Sequence, residues 1–184
     1  MSIDYLGFLK EVGKSKRLLR SGWIREKVND PESVAEHSFR VGVLAMVLSD
    51  AIKVDKDKLI KMALLHDLAE ITTGDVITER WAILDIKKRD EKEKAERESI
   101  YRFFQKISEG KKYQLIFDEM INRVTPEAKI FWQLDKLEMA IQAYEYEKEQ
   151  KINLEEFFET SEMYIRHPLL RQIFNDLLKL RKKR

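Results

Sequence analysis

Leu64-Leu65-His66-Asp67-Leu68-Ala69-Glu70 is the stretch on which the reading of this chain turns. Met62, Ala63, Leu64, Leu65, Leu68 and Ala69 surround His66, Asp67 and Glu70, so an imidazole and two carboxylates enter a largely buried helix together. Burying such groups without partners costs roughly several kcal/mol each. A divalent cation would compensate all three, two as direct ligands and one through a bound water. An ordinary buried ion pair is the alternative.

Outward from that stretch the helices follow from caps and spacing. Asp55 or Asp57 suits the N-cap of its helix, Leu59, Met62, Leu65 or His66, and Ala69 keep the buried spacing, and the helix should end near Thr72-Thr73-Gly74. Upstream, Ser33-Val34-Ala35-Glu36 fits a capping box after the turn Asp30-Pro31-Glu32 and opens a helix to about Ile52. Along it His37, Val41, Leu44 and Leu48 share one stripe, which turns His37 inward. Ile3, Leu6, Phe8, Leu9 and Val12 lie at helical spacing before Gly13, a first helix. Lys14 to Asn29 mixes Lys16, Arg17, Arg20 and Arg25 with Ser21, Gly22 and Trp23, a loop holding at most a turn or two of helix.

Downstream, Asp75 to Asp85 reads as a loop carrying Thr78, Arg80 and Trp81. The charged run Lys87 to Glu98 is a solvated helix start that continues into Ile100, Phe103, Phe104 and Ile107. Gly110 breaks the chain before a helix from Tyr113 to Arg123. Thr125-Pro126-Glu127 opens the next, since Pro at a first helical position needs no N–H partner. There Phe131, Asp135 and Met139 fall on one face, which points Asp135 inward. Leu154 to Ile165, then His167-Pro168, lead to a final amphipathic helix whose basic end, Arg181 to Arg184, complements its C-terminus. His167 lies outside every motif and reads as surface structure. No strand pattern, repeat or low-complexity linker is visible. The expectation is an all-α single domain over 1–184, with the motif-bearing core at about 20–146 and the 154–184 helices packed on it.

Composition bounds the function. At 184 residues and 43% hydrophobic the chain suits one domain with a real core. Lys+Arg 35 against Asp+Glu 33 leaves +2, too balanced for nonspecific attachment to nucleic acid or an anionic membrane. With no Cys, His and carboxylates are the strong metal ligands on offer. No basic stretch followed by an apolar core opens the chain, and no apolar run approaches the ~18 residues of a membrane span, so a soluble cytoplasmic protein is expected.

Four inward groups stand out: His37, the adjacent pair His66 and Asp67, and Asp135. Neighbours on a helix point about 100° apart, so His66 and Asp67 can both lean toward an ion lying between them. Two imidazoles and two carboxylates suit Mn, Fe, Co, Ni or Zn better than Mg or Ca.

Ala35-Glu36-His37-Ser38, His66-Asp67-Leu68-Ala69-Glu70, Thr73-Gly74-Asp75 and Leu134-Asp135-Lys136 resemble the motifs of the HD-domain metal-dependent phosphohydrolases. More narrowly, they resemble the 5'-deoxynucleotidase group, which includes bacterial nucleotidases and the eukaryotic HD-domain-containing protein 2; the oxetanocin-related phosphohydrolases are cousins. The likeness runs from about Arg20 to Tyr146, and the ordered set His, His-Asp, Asp is what makes it specific. It implies five or more core helices, a single divalent transition-metal ion, a homodimer, and hydrolysis of deoxynucleoside 5'-monophosphates to nucleoside and phosphate. It places His37, His66, Asp67 and Asp135 as metal ligands and Glu70 and Asp75 as carboxylates handling the attacking water. Trp23 falls where the family has an aromatic wall of the sugar pocket, and Thr78 where it has a substrate-contacting Thr.

Two departures bear on the substrate residues. Gly22 stands before Trp23 where bacterial members have Arg, leaving Arg20 as the nearest upstream base, although eukaryotic members also carry Gly there. After Asp75 the chain has Ile77-Thr78-Glu79-Arg80 in place of a Pro-Thr-Pro pattern with a Lys. Taken singly, His37 suits a hydrogen-bonded core histidine, Asp135 and Glu70 suit ion-pair partners, Asp75 a turn cap, and Trp23 a loop anchor. Rival functions are another HD-type reaction, on a triphosphate or a cyclic or signalling nucleotide, and a non-catalytic domain that binds a nucleotide or a protein around a structural metal.

Overall fold

The computed structural model describes residues 3–75 and 86–183, with the side chains of 86–89 left aside. Among these residues the regular structure is helical, and the one extended pairing is an isolated antiparallel bridge between Leu19 and Ser33. Thr78, Arg80 and Trp81 lie outside the described residues.

Local chemistry sets most of the helix starts. α1 (Tyr5–Val12) begins where Asp4 accepts from the Gly7 N–H at 2.8 Å, and a 3-10 turn over Gly13–Arg17 leads to the short α2 (Ser21–Arg25). α3 (Val34–Ile52) carries the complete capping box, in which Ser33 Oγ accepts from the Glu36 N–H and Glu36 accepts from the Ser33 N–H at 2.7 Å. α4 (Lys56–Leu65) takes Asp55 rather than Asp57 as its cap. α8 (Pro126–Gln150) opens with Thr125 capping Ala128 and Pro126 in the first turn.

The helix bearing His66 does not run unbroken to Thr73. α4 ends at Leu65, residues 66–69 form a tight turn, and α5 (Glu70–Thr73) follows. Hydrogen bonds step back three residues here, from Leu68 N to Leu65 O, Glu70 N to Asp67 O and Ile71 N to Leu68 O. In this 3-10 pattern residues three apart eclipse, which sets Glu70 over Asp67.

Gly110 also differs from its expected role. It is the first residue of α7 (Gly110–Asn122), not a break ahead of it. A Cβ at that position would lie 1.9 Å from the Phe104 carbonyl oxygen at the end of α6 (Ile86–Phe104), so the glycine marks a backbone contact between two helices.

α8 is the axis of the core. Its Phe131, Leu134, Leu137 and Ala140 are wholly buried, and it packs on α3, α4 and α7 and on the tail helices α9 (Glu155–Tyr164) and α10 (Pro168–Lys182). α3 presents Val34, His37, Val41, Ala45 and Ser49 to this interior, while Leu44 and Leu48 are half-buried beside them. In α1 only Phe8 and Val12 pack inward, Phe8 against Phe103 at 4.6 Å between ring centroids; Ile3, Leu6 and Leu9 are exposed. No helix of the described residues is long and apolar enough to cross a membrane.

Gly110→Ala is expected to lose about 1–3 kcal/mol, because backbone must move to admit the methyl group. Gly13→Ala, whose Cβ would meet nothing within 4 Å, should be neutral or gain up to about 1 kcal/mol. Urea midpoints of the two variants decide it; a Gly110→Ala protein as stable as the parent would show that α6 and α7 do not close on that residue.

Candidate metal centre

Three elements deliver the site: α3 brings His37, the turn after α4 brings His66 and Asp67, and α8 brings Asp135. His37 Nε2 lies 3.1 Å from Asp135 Oδ1 and 3.9 Å from Asp67 Oδ2. His66 Nε2 lies 3.0 Å from Asp67 Oδ2, and the two imidazole rings stand edge to face with centroids 5.2 Å apart. His37, His66 and Asp67 each offer a ligand atom within 4.8 Å of the others.

His66 tests whether this cluster fits a metal. Its Nδ1 donates to the Ala63 carbonyl at 2.8 Å, which puts a ring proton on Nδ1 and turns Nε2 toward Asp67. Among the described residues that buried Nε2 has no hydrogen-bond partner, although Asp67 Oδ2 stands within salt-bridge distance of it. An imidazole nitrogen and a carboxylate oxygen facing each other in the interior need a proton or a metal cation between them. Together with the mixed nitrogen and oxygen donors, this fits a divalent transition metal.

The site's electrostatics point the same way. Burial pushes the Asp67 carboxyl up, but His66, Arg20 and His37 outweigh it and hold Asp67 well below the usual carboxylate range. Asp135 is likewise held low, as Lys136, His37 and His66 overcome burial. Burial and Arg20 work to lower the His37 imidazole, yet Glu138 and Asp135 raise it to about 10. A proton on His37 therefore supplies positive charge that a bound cation would replace. Arg20 Nη1 donates to Asp67 Oδ2 at 2.7 Å, and Lys136 Nζ pairs with Asp135 Oδ2 at 2.9 Å.

The other residues singled out from sequence fall around this centre. Glu70 is buried, with Oε1 3.9 Å from Lys92 Nζ and Oε2 without a hydrogen-bond partner among the described residues. Burial and the nearby Asp67 and Asp75 carboxylates raise it well above its ordinary value. Asp75 is already engaged: its Oδ2 accepts from the Ser21 N–H at 2.5 Å, and its carbonyl accepts from Ser21 Oγ at 2.7 Å. Arg20 is occupied by Asp67. Trp23, 1% exposed, stacks on Phe157 at 4.3 Å, meets Tyr146 edge-on and donates to Glu32 at 2.9 Å, so the structure places it as an anchor of α2 with no open face.

Two buried acids packed against His37 and Trp23 were not singled out from sequence. Glu138 lies on His37 Nδ1 at 2.5 Å, and Glu32 lies under Trp23, with its backbone N–H donating to Tyr146 Oη. Glu138 had a signal, three residues after Asp135 on the same helix. Glu32, in a turn, had none.

A helical bundle enclosing an inward His, His-Asp, Asp set defines a protein of the HD-domain class. Residues 12–173 match the HD-domain family, and the chain belongs to it. A Danio rerio relative is 37% identical over 169 residues, covering 90% of this chain and 82% of its own. A Homo sapiens relative is 35% identical over 176 residues, covering 94% and 83%; both are named 5'-deoxynucleotidase HDDC2. A crystal structure of a Pyrococcus horikoshii protein superposes with a TM-score of 0.79 at 33% identity, covering 95% of this chain and 99% of that one.

Glu32 yields a pH prediction. Burial and the Glu138 carboxylate raise its carboxyl from 4.5 to about 7. The protonated form is the one the fold favours, so this contribution is full below 4.5 and is lost as pH rises through about 7. In metal-free protein Glu32→Gln keeps an acceptor for Trp23; it should match the parent near about pH 4 and be more stable by ~1–3 kcal/mol near about pH 8. Urea unfolding at the two pH values checks this, and an unchanged difference between them would contradict it.

Proposed function

We propose that the protein is a metal-dependent 5'-deoxynucleotidase that hydrolyses deoxynucleoside 5'-monophosphates to deoxynucleoside and phosphate. The observation that carries the metal is His66 Nε2, which faces Asp67 inside the cluster and has no hydrogen-bond partner among the described residues. The substrate class rests on the relatives named 5'-deoxynucleotidase across most of the chain. In this reading His37, His66, Asp67 and Asp135 hold one divalent ion, Mn, Co, Ni, Fe or Zn, which when bound lowers the pKa of water and polarises a phosphoryl oxygen.

The chain's own groups do the rest. Glu70 takes the proton of the attacking water: it is buried beside Asp67, one oxygen has no hydrogen-bond partner among the described residues, and its raised affinity for a proton suits an acceptor. The water oxygen bonds to phosphorus as the bond from phosphorus to the 5'-oxygen breaks, and the proton taken up by Glu70 is passed on to that 5'-oxygen, which leaves as the hydroxyl of the deoxynucleoside. Asp75 supports this by holding the start of α2, and with it Arg20, whose guanidinium on Asp67 puts positive charge at the site where phosphate must arrive. Trp23 acts at one remove on the sugar side by fixing α2 against Phe157, and Thr78 is kept as a substrate contact on the family likeness alone. The same likeness supports a homodimer, the balanced net charge of +2 speaks against a nucleic-acid or anionic-membrane partner, and the exposed Phe39, Met46 and Val47 on α3 offer apolar surface for a second copy.

Protein stripped by chelator and reloaded with Mn or Co is expected to release phosphate from deoxynucleoside 5'-monophosphates faster than from the ribonucleotides. Excluding one hydroxyl is worth ~1–3 kcal/mol, so the preference should be finite. Release from triphosphates alone, or from none of the nucleotides with metal bound, would overturn the assignment. Glu70→Gln should keep its metal and lose at least about 100-fold in kcat. Near-full activity of Glu70→Gln, with Asp75→Asn inactive and metal-loaded, would move the proton acceptor to Asp75.

A further inference from the structure

Glu138 lies outside the ligand set, and its side chain is completely buried. Its oxygens do different things. Oε2 lies 2.5 Å from His37 Nδ1, while Oε1 accepts from Arg40 Nε at 2.8 Å. Arg40 is itself held, donating to Glu145 at 2.7 Å and to Gln142. Two pairs spaced by three residues thus face each other across the contact of α3 with α8: His37 and Arg40 on one helix, Asp135 and Glu138 on the other.

An ionised carboxylate only accepts, so the nitrogen it faces must carry the proton. With the proton on Nδ1, a neutral His37 keeps its lone pair on Nε2, which is turned to Asp135 and Asp67. We propose that Glu138, gripped by Arg40, is a positioning residue that fixes the His37 ring and its Nδ1–H tautomer so that Nε2 can bind the divalent ion. This rests on the metal-centre reading above and adds to it the residue that sets one ligand's orientation, as carboxylates behind ligating imidazoles generally do.

Arg40 makes the inference testable. In Glu138→Gln one amide oxygen must serve two donors. The guanidinium can only donate and claims that oxygen, so the amide NH2 meets His37 Nδ1, which can accept only by shifting the ring proton to Nε2 and losing the ligand lone pair. With Arg40→Met added, the amide can turn its oxygen back to Nδ1.

Zinc affinity by chelator competition should therefore fall about 10- to 100-fold in Glu138→Gln, whereas the double variant should bind within about threefold of Arg40→Met alone. Nitrogen-15 NMR of the zinc-loaded parent protein should show a protonated Nδ1 on His37, a readout that needs no variant to fold. Zinc bound by Glu138→Gln as tightly as by the parent, a double variant no tighter than Glu138→Gln, or an unprotonated Nδ1 would each overturn the proposal. A parent protein that binds no zinc would instead defeat the metal-centre reading, and this proposal with it.

Discussion

The structure depends on buried charge that the polypeptide compensates only in part. His37, His66, Asp67 and Asp135 are gathered where α3, α8 and the turn after α4 meet, and Arg20 and Lys136 reach in from outside to one oxygen each of Asp67 and Asp135. Among the described residues His66 Nε2 is left without a hydrogen-bond partner beside a carboxylate. Leaving a buried polar atom unpaired costs about 1–3 kcal/mol, so an arrangement shaped around one is better explained by a ligand than by stability. A protein selected for stability alone would do as well with apolar side chains here.

The surrounding fold serves this point. α8 supplies Asp135 and Glu138 from within the most buried helix, where neither can drift, and the capping box fixes the register at which α3 presents His37. The tight turn at residues 66–69 sets Glu70 over Asp67, three residues before it. Ser99 Oγ donating to the Ala69 carbonyl ties α6 to the same turn. Trp23, Glu32 and Tyr146 form a second buried network that holds α2, and α2 in turn meets Asp75 through Ser21.

What could be read in the sequence was what local chemistry decides. Ser33 with Glu36, Thr125 with Pro126 and the aspartates near 55 mark helix starts, because caps act within a few residues. His37, His66, Asp67 and Asp135 could be read because each polar group interrupts an apolar stripe. The break after Leu65 could not, since apolar spacing continues through it. Gly110 read as a breaker because a glycine's reason, here the Phe104 carbonyl, lies in another helix. In α1 the spacing was right but could not say which apolar residues find a partner; Phe8 does and Leu6 does not. Glu138 was hidden by following the stripe in steps of four from Phe131 to Asp135 to Met139, although three is also one turn. Arg20 and Asp67, far apart in the chain, leave no local trace of their pairing.

The central claim is that this cluster is built to hold one divalent cation. Anomalous diffraction from crystals of the protein grown or soaked with Mn tests it most directly. The account predicts one strong peak enclosed by His37 Nε2, His66 Nε2, Asp67 and Asp135. Protein at full occupancy of its fold with no peak there, or with Mn held only on surface carboxylates, would contradict it.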